Sequence, residues 1–280
     1  MGYFDQDVGH VWGGKIYREK YGTVAKFTAR DFPFSLDEID RSGETVLEIG
    51  SSMGQSYRSL LARGIDLGKR YTGTDISNDG IEHCRRAYPQ ARWVHGDFGQ
   101  LDFDGPYDYV YERISIHHMP NPFACIRKAI GLAQKKIQMQ MRVRSLHPTL
   151  SDFERGYFRQ MADDGVTERG RYFFNLMNVV ELRDQVLSAP GVASVTMWLA
   201  RHFTILPEHH IVAPADVFDP REFLSICRCL VVKGGTARPR VRVLPAAGWR
   251  GLVRDRDYLW HFLRHRRRLQ DLSTVARGRA

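Results

Sequence analysis

The sequence predicts an α/β fold: a doubly wound, mostly parallel sheet of about seven strands, with an antiparallel hairpin at one edge. Three observations carry that expectation. From Thr45 onward, short apolar runs alternate with segments of helical spacing. The first run empties into the small-residue loop Gly50 to Gly54, and later runs also end in polar or small residues. Two long apolar runs near the C-terminal end, 192–204 and 222–232, have no helix between them, which suits an antiparallel edge hairpin.

In chain order, residues 1–40 are expected to form an N-terminal helical cap. Gly13 and Gly14 precede a predicted helix over about 15–28, with Tyr17, Tyr21, Val24 and Phe27 near helical spacing, and Pro33 ends it. The main domain is predicted over 41–234. Its strands are expected at Thr45 to Ile49, Arg70 to Thr74, Ala91 to Val94, Tyr107 to Ile114 and within Lys136 to Val143. Helices are expected at Gln55 to Arg63, Asn78 to Tyr88, about 122–133 and Asn178 to Leu187. The polar stretch at about 145–176, with its Asp163-Asp164-Gly165 and Glu168-Arg169-Gly170 turn signals, reads as an insertion after strand five. An Arg-rich C-terminal extension follows over 235–280, beginning at Pro239 and Pro245 and giving a basic helix over about 251–272.

Charge is unevenly placed. The net charge is +9, and residues 235–280 alone hold 12 Arg against 3 Asp, which leaves 29 basic and 29 acidic groups in the remaining 234 residues. A neutral body with a basic tail differs from a basic enzyme. Cys84, Cys125, Cys227 and Cys229 show no CxxC spacing, so buried thiols are expected and no metal site. The start of the chain lacks the pattern of a signal peptide, and no apolar run is as long as a membrane span. A cytoplasmic protein is expected, peripheral to the inner face of the membrane if the basic tail lies there.

The chemistry-bearing residues stand at the strand ends. Val46 to Gly54 (VLEIGSSMG) is a strand with an acid, Glu48, that runs into Gly50, Ser51, Ser52 and Gly54. Glycine there permits a left-handed backbone and removes the Cβ that would keep a ligand away. Asp75 ends the second strand, 21 residues past Gly54, near the ~20-residue offset of an acid that accepts ribose hydroxyls. A helix N-cap is the plainer role for Asp75, although Ser77 or Asn78 serves that purpose equally well. Gly96, Asp97 and Phe98 follow the third strand, and Glu112 and Arg113 end the fourth, ahead of His117 and His118. Ligands of open parallel sheets bind at this carboxyl edge.

This order resembles the class I S-adenosylmethionine-dependent methyltransferases, with a Rossmann-like domain, over roughly residues 40–145 and again over 178–232. VLEIGSSMG looks like the family's first motif, with Ser52 where a glycine usually stands. YDYVYERISIHHM resembles its strand-four motif. The resemblance implies S-adenosylmethionine as cofactor and S-adenosylhomocysteine as product. It implies that Glu48 faces the methionine amino group, and that Gly50, Ser51, Ser52 and Gly54 line the methionine and ribose. By the same token Asp75 holds the ribose hydroxyls, Ile76 packs on the adenine, Gly96 and Asp97 lie beside it, and Phe98 flanks the ring. Glu112 and Arg113 would sit under the sulfonium. His117 or His118 is the best-placed base for a hydroxyl acceptor, though paired histidines here also simply pack the turn. His202, His209 and His210 are further candidates for the pocket, as are the aromatics Trp12, Tyr17, Tyr21, Tyr157, Phe158, Tyr172 and Phe173.

The expected activity is methyl transfer to a small molecule or glycan, at oxygen. A nucleic-acid methyltransferase using the basic tail is the alternative, but the motifs of the amino-methylating DNA enzymes and a Pro-Cys nucleophile are absent. A dehydrogenase would want G-x-G-x-x-G, which Gly50 to Gly54 does not fit. A non-catalytic binding protein on the same fold is the remaining alternative. In the tail, Tyr258, Leu259, Phe262, Leu263, Leu269 and Leu272 are expected to share one helical stripe. That stripe could dock on the body, lie on an anionic membrane surface, or leave the arginines to hold a phosphate-bearing substrate.

Overall fold

The computed structural model describes residues 43–152, 157–161, 168–200, 211–212, 225–235, 239–246 and 256–271. The expected N-terminal cap, with Trp12, Tyr17 and Tyr21, lies outside the described residues, as do His202, His209 and His210.

The strands are β1 (Val46–Ile49), β2 (Tyr71–Asp75), β3 (Arg92–His95), β4 (Tyr107–Glu112) and β5 (Ala133–Arg144). They continue with β6 (Tyr157–Met161), β7 (Glu168–Phe173), β8 (Met177–Asn178), β9 (Val192–Leu199), β10 (Ile211–Val212), β11 (Ser225–Lys233) and β12 (Arg240–Pro245). The helices are α1 (Gln55–Leu61), α2 (Asn78–Ala87), α3 (Pro122–Leu132), α4 (Val179–Ser188) and α5 (Arg256–Gln270).

The main sheet runs β12-β9-β11-β5-β4-β1-β2-β3, with β8 also paired to β5. β1 to β5 are parallel, and β11 enters antiparallel between β5 and β9. The strand order reverses between β1 and β4, where an open α/β sheet places its ligand crevice. The sheet has nine strands rather than about seven, because β8 and β12 join it. β12 was not foreseen: its ends are marked by Pro239 and Pro245, which read as loop signals. At the sheet edge, where β12 pairs parallel with β9 alone, one flank needs no hydrogen-bond donor and proline is tolerated. The region expected as a polar insertion holds β6 and β7, which with β10 make a separate three-stranded sheet.

Two apolar clusters grip the faces. One joins Leu47, Ile49, Val110 and the inward side of β5 (Ile137, Met139, Met141, Val143) to Ile126 and Ile130 of α3 and Leu182 and Val186 of α4. The other joins Val46, Tyr57, Tyr71, Trp93 and Ile81 under α1 and α2. Tyr57 and Tyr71 lie 4.8 Å apart by ring centroid, and Tyr57 meets Trp93 edge-on at 5.8 Å. All four cysteines are buried and free. The C-terminal helix is part of this body. Phe262, His265 and Leu269 of α5 are buried, at helical spacing. Buried Arg183 of α4 caps its last turn, donating from Nη1 to the carbonyls of Arg268 at 2.6 Å, Leu269 at 3.1 Å and Asp271 at 2.8 Å. These carbonyls are the ones a helix leaves unpaired, and a cation favours that end of the dipole.

Candidate functional site

The turn leaving β1 packs three left-handed residues into five: Gly50 at φ 73°, Ser52 at 52° and Gly54 at 72°. Gly50 and Ser51 both donate their N–H to Thr74 O, at 2.8 and 2.9 Å, which folds the turn back over β2. A Cβ on Gly50 would fall 1.9 Å from Ser115 Oγ, so only glycine lets the turns after β1 and β4 interlock. Ser52 takes the same left-handed conformation in place of a glycine. That costs about 1–2 kcal/mol and must be held by something.

Asp75 holds it. Its Oδ2 accepts from Ser52 N–H at 2.7 Å and its Oδ1 from Ser77 N–H at 2.8 Å. Ser77, not Asp75, caps α2, accepting from Gly80 N–H at 3.1 Å. Ile76 N–H is a third, weaker backbone donor to this carboxylate, whose two oxygens still keep acceptor capacity. Burial pushes the Asp75 carboxyl above its ordinary value, against the pull of the Ser77 and Ser52 N–H groups, nearby His95 and the Ile76 N–H. Ile76 is half-buried beside it, and its carbonyl accepts from His95 Nε2–H at 3.0 Å.

The other predicted residues divide. Glu48 is buried and accepts from the hydroxyls of Ser56 and Tyr71. Burial raises its pKa to about 7, opposed by those hydrogen bonds, with Asp75 pushing it further up and Arg113 pulling it down. Gly96 donates to Asp75 O at 2.9 Å, tying the turn after β3 to the end of β2. Asp97 is half-buried and accepts from Gly99 N–H at 2.9 Å. Phe98 does not flank an open space. It is buried with Phe103 at 5.7 Å, under the ammonium of Lys128 at 5.2 Å, because its ring belongs to the main apolar cluster.

Glu112 likewise turns into the protein. It is fully buried and accepts from the backbone N–H of Ser115, from Ile116 at 2.9 Å and from Gln140 at 3.0 Å. Its pKa rises to about 7 from burial, opposed by those three donors. The clamp holds Ile114 at φ 54°, a left-handed conformation that a β-branched residue rarely adopts. Arg113 beside it stays half-buried.

His117 and His118 stack at 3.9 Å between ring centroids, close to Phe174. Arg142 Nη1 donates to His117 Nε2 at 2.7 Å, and His118 Nδ1–H donates to Phe173 O at 2.7 Å. Burial, the neighbouring histidine and Arg142 hold His117 well below the ordinary imidazole range. Burial and Arg142 take His118 down to about 3, against the pull of Phe173 O. Both rings are therefore neutral and weakly basic near pH 7. His117 O also receives Asn175 N–H at 2.8 Å and Nδ2–H at 2.9 Å.

Sequence reasoning missed Ser115, Arg142, Phe174 and Asn175. Arg142 had a visible signal: β5 alternates Ile137, Met139, Met141 and Val143 with Gln138, Gln140, Arg142 and Arg144, a polar file inside the sheet. The others had none, since their roles depend on contacts far along the chain.

The methyltransferase-domain family matches residues 46–136, from the start of β1 into β5. Trans-aconitate 2-methyltransferase of Enterobacter sp. (strain 638) is 27% identical over 125 residues, which is 43% of this chain and 46% of that protein. The chain thus spans about half the length of this curated relative. Among solved structures, phosphoethanolamine N-methyltransferase 2 of Haemonchus contortus, in complex with phosphomonomethylethanolamine and S-adenosylhomocysteine, is similar at a TM-score of 0.56. Its identity is 11%, over 84% of this chain and 61% of that one. Magnesium protoporphyrin IX methyltransferase from Synechocystis PCC 6803 aligns at a TM-score of 0.42 and 15% identity, over 83% of this chain and 89% of that one. β1 to β5 stand in the expected order around a glycine-serine turn, and over them, at residues 46–136, the chain carries a methyltransferase domain of the class I S-adenosylmethionine-dependent kind.

Proposed function

We propose that the chain transfers a methyl group from S-adenosylmethionine to an oxygen of a small-molecule acceptor, and that this oxygen is a carboxylate. The observation that carries the cofactor reading is the β1 turn itself. Its hydroxyls, Ser51 Oγ and Ser52 Oγ, together with Thr74 Oγ1, are buried and have no hydrogen-bond partner among the described residues. Asp75 beside them keeps acceptor capacity on its half-buried carboxylate. That donor and acceptor set fits a ribose and an amino-acid moiety.

In this reading Asp75 accepts from the ribose hydroxyls, while Gly50, Ser51, Ser52 and Gly54 give the methionine portion a wall without bulky side chains. Ile76 packs on the adenine and Asp97 accepts from its amino group. Glu48 acts on the methionine amino group from behind the turn, through its own hydroxyl partners. When bound, the cofactor supplies an electrophilic methyl on a sulfonium. The protein's task is to align the acceptor and exclude water.

The reading of the acceptor starts from the two histidines after β4. A hydroxyl acceptor needs a base with a pKa near the working pH. His117 and His118 are both held far below it, by burial and by Arg142. An acceptor that arrives already ionised needs no base, and a carboxylate fits the positive Arg142 near those rings. The curated relative is named for trans-aconitate, a polycarboxylic acid. The decisive experiment incubates the protein with labelled S-adenosylmethionine and panels of carboxylic acids and of sugars or phenols. Label in a product that hydroxide cleaves, as it does a methyl ester, supports the reading. Transfer to hydroxyls alone, with a rate rising through a single ionisation between about pH 6 and 8, overturns it.

A further inference from the structure

We infer that the outer face of α5 is a docking surface for an anionic lipid bilayer. A helix laid against a protein body should be apolar inward and polar outward. Helix α5 meets the first condition through Phe262, His265 and Leu269. It departs from the second. Trp260 is 58% exposed and Leu263 42% exposed, the exposed large apolar side chains among the described residues. They stand three residues apart, on a stripe with Arg264 and Arg267, both exposed. The Arg264 guanidinium lies 5.3 Å from the Trp260 ring centroid, so charge and apolar surface are presented together.

This combination selects the partner. Tryptophan and leucine beside arginines match the boundary between headgroups and acyl chains, where indole rings sit at headgroup level and basic groups meet phosphates. Nucleic acid would use the arginines and the indole but offers nothing to the aliphatic Leu263. A second copy of the same face would set arginine against arginine. Helix α5 itself carries five arginines (Arg256, Arg264, Arg266, Arg267 and Arg268) against one acid, Asp257, so it adds attraction to an anionic surface. Contact is peripheral, since among the described residues no helix is long and apolar enough to cross a membrane. The last turn of α5 also reaches the carboxyl edge of the sheet. Arg268 Nη1 donates to Ser145 O at 3.1 Å, the residue just past β5. The proposal stands whether or not the acceptor is a carboxylate.

The test is co-sedimentation of the full chain with vesicles of phosphatidylcholine alone, or mixed with phosphatidylglycerol. Binding should require phosphatidylglycerol and weaken with salt. Arg264→Glu with Arg267→Glu, and separately Trp260→Ser with Leu263→Ser, should each weaken it at least about tenfold. All four side chains point outward, so both variants should keep the wild-type thermal midpoint and the wild-type response to S-adenosylhomocysteine. Equal binding to neutral vesicles overturns the proposal, as does full binding by folded variants. Absence of vesicle binding while random-sequence RNA is held through Arg264 and Arg267 overturns it in favour of nucleic acid.

Discussion

The turns after β1 and β4 use one device and end differently. Each contains one non-glycine residue in the left-handed region, Ser52 in the first and Ile114 in the second. Each is held by a carboxylate that accepts backbone N–H groups. Asp75 reaches the first turn from the neighbouring strand, is half-buried, and accepts from Ser52 and Ser77 and more weakly from Ile76. Glu112 holds the second from its own strand end, is fully buried, and takes three donors. The first carboxylate is left with capacity for a ligand and the second is consumed by the fold. An acid at the end of a parallel strand is thus a binding group or a clamp according to how far its carboxylate stays open to solvent. Ser115 joins the two turns, with its side chain in the space that a Cβ on Gly50 would need.

The contrast makes ordered predictions. Glu112→Ala strands three backbone donors in a buried site and should destabilise the fold by about 4 kcal/mol, read by urea denaturation. A loss under about 1 kcal/mol would remove the clamp role.

A second effect concerns pH. Glu48 and Glu112 each stand at about 7 in the fold against an ordinary 4.5. Between those values the two glutamates bind more protons in the native protein than in the unfolded chain, a contribution that makes stability fall as pH rises, while His117 and His118, held below the ordinary 6.5, contribute in the opposite sense below that value. Relative to the wild type, Glu48→Gln should gain stability as pH rises through that window, up to about 3 kcal/mol above about pH 8. Denaturation midpoints across pH that parallel the wild type would contradict the buried state of Glu48.

Asp75→Ala comes third. It should weaken S-adenosylhomocysteine binding about tenfold to a hundredfold by calorimetry, with a smaller loss of stability than Glu112→Ala because its site is more open. Unchanged affinity would remove Asp75 from the cofactor site. Smallest is Ser52→Gly, which relieves the left-handed strain and should stabilise by about 1 kcal/mol. A destabilisation would show that the serine hydroxyl contributes more to the native fold than its backbone strain costs.

Most of the parallel core was legible because its signals are local. Runs such as Val46 to Ile49 and the small-residue turn behind them announce a strand and a close approach without reference to the rest of the chain. The helix caps were equally local, with Ser77 one of the two residues expected to start α2. The site was legible in its positions and less so in its roles. Phe98 and Glu112 sit where a ligand-facing residue would, yet both turn into the core, because Phe103, Lys128 and the amides of Ser115, Ile116 and Gln140 meet them there. The tail misled in a similar way. Leu263 shares a helical pattern with Phe262 and Leu269, but a helix presents residues one apart about 100° from each other, and only one of the two can face the body.

The sequence by itself determined the succession of strands and helices, the glycine-serine turn and the acids at the strand ends, since hydrophobic period and backbone freedom are properties of neighbouring residues. Only the tertiary structure decided which carboxylate keeps room for a ligand, that two histidines are held neutral by burial and by Arg142, and that β12 and α5 belong to the domain. Those outcomes depend on burial and on donors supplied from distant parts of the chain, and no local pattern encodes either.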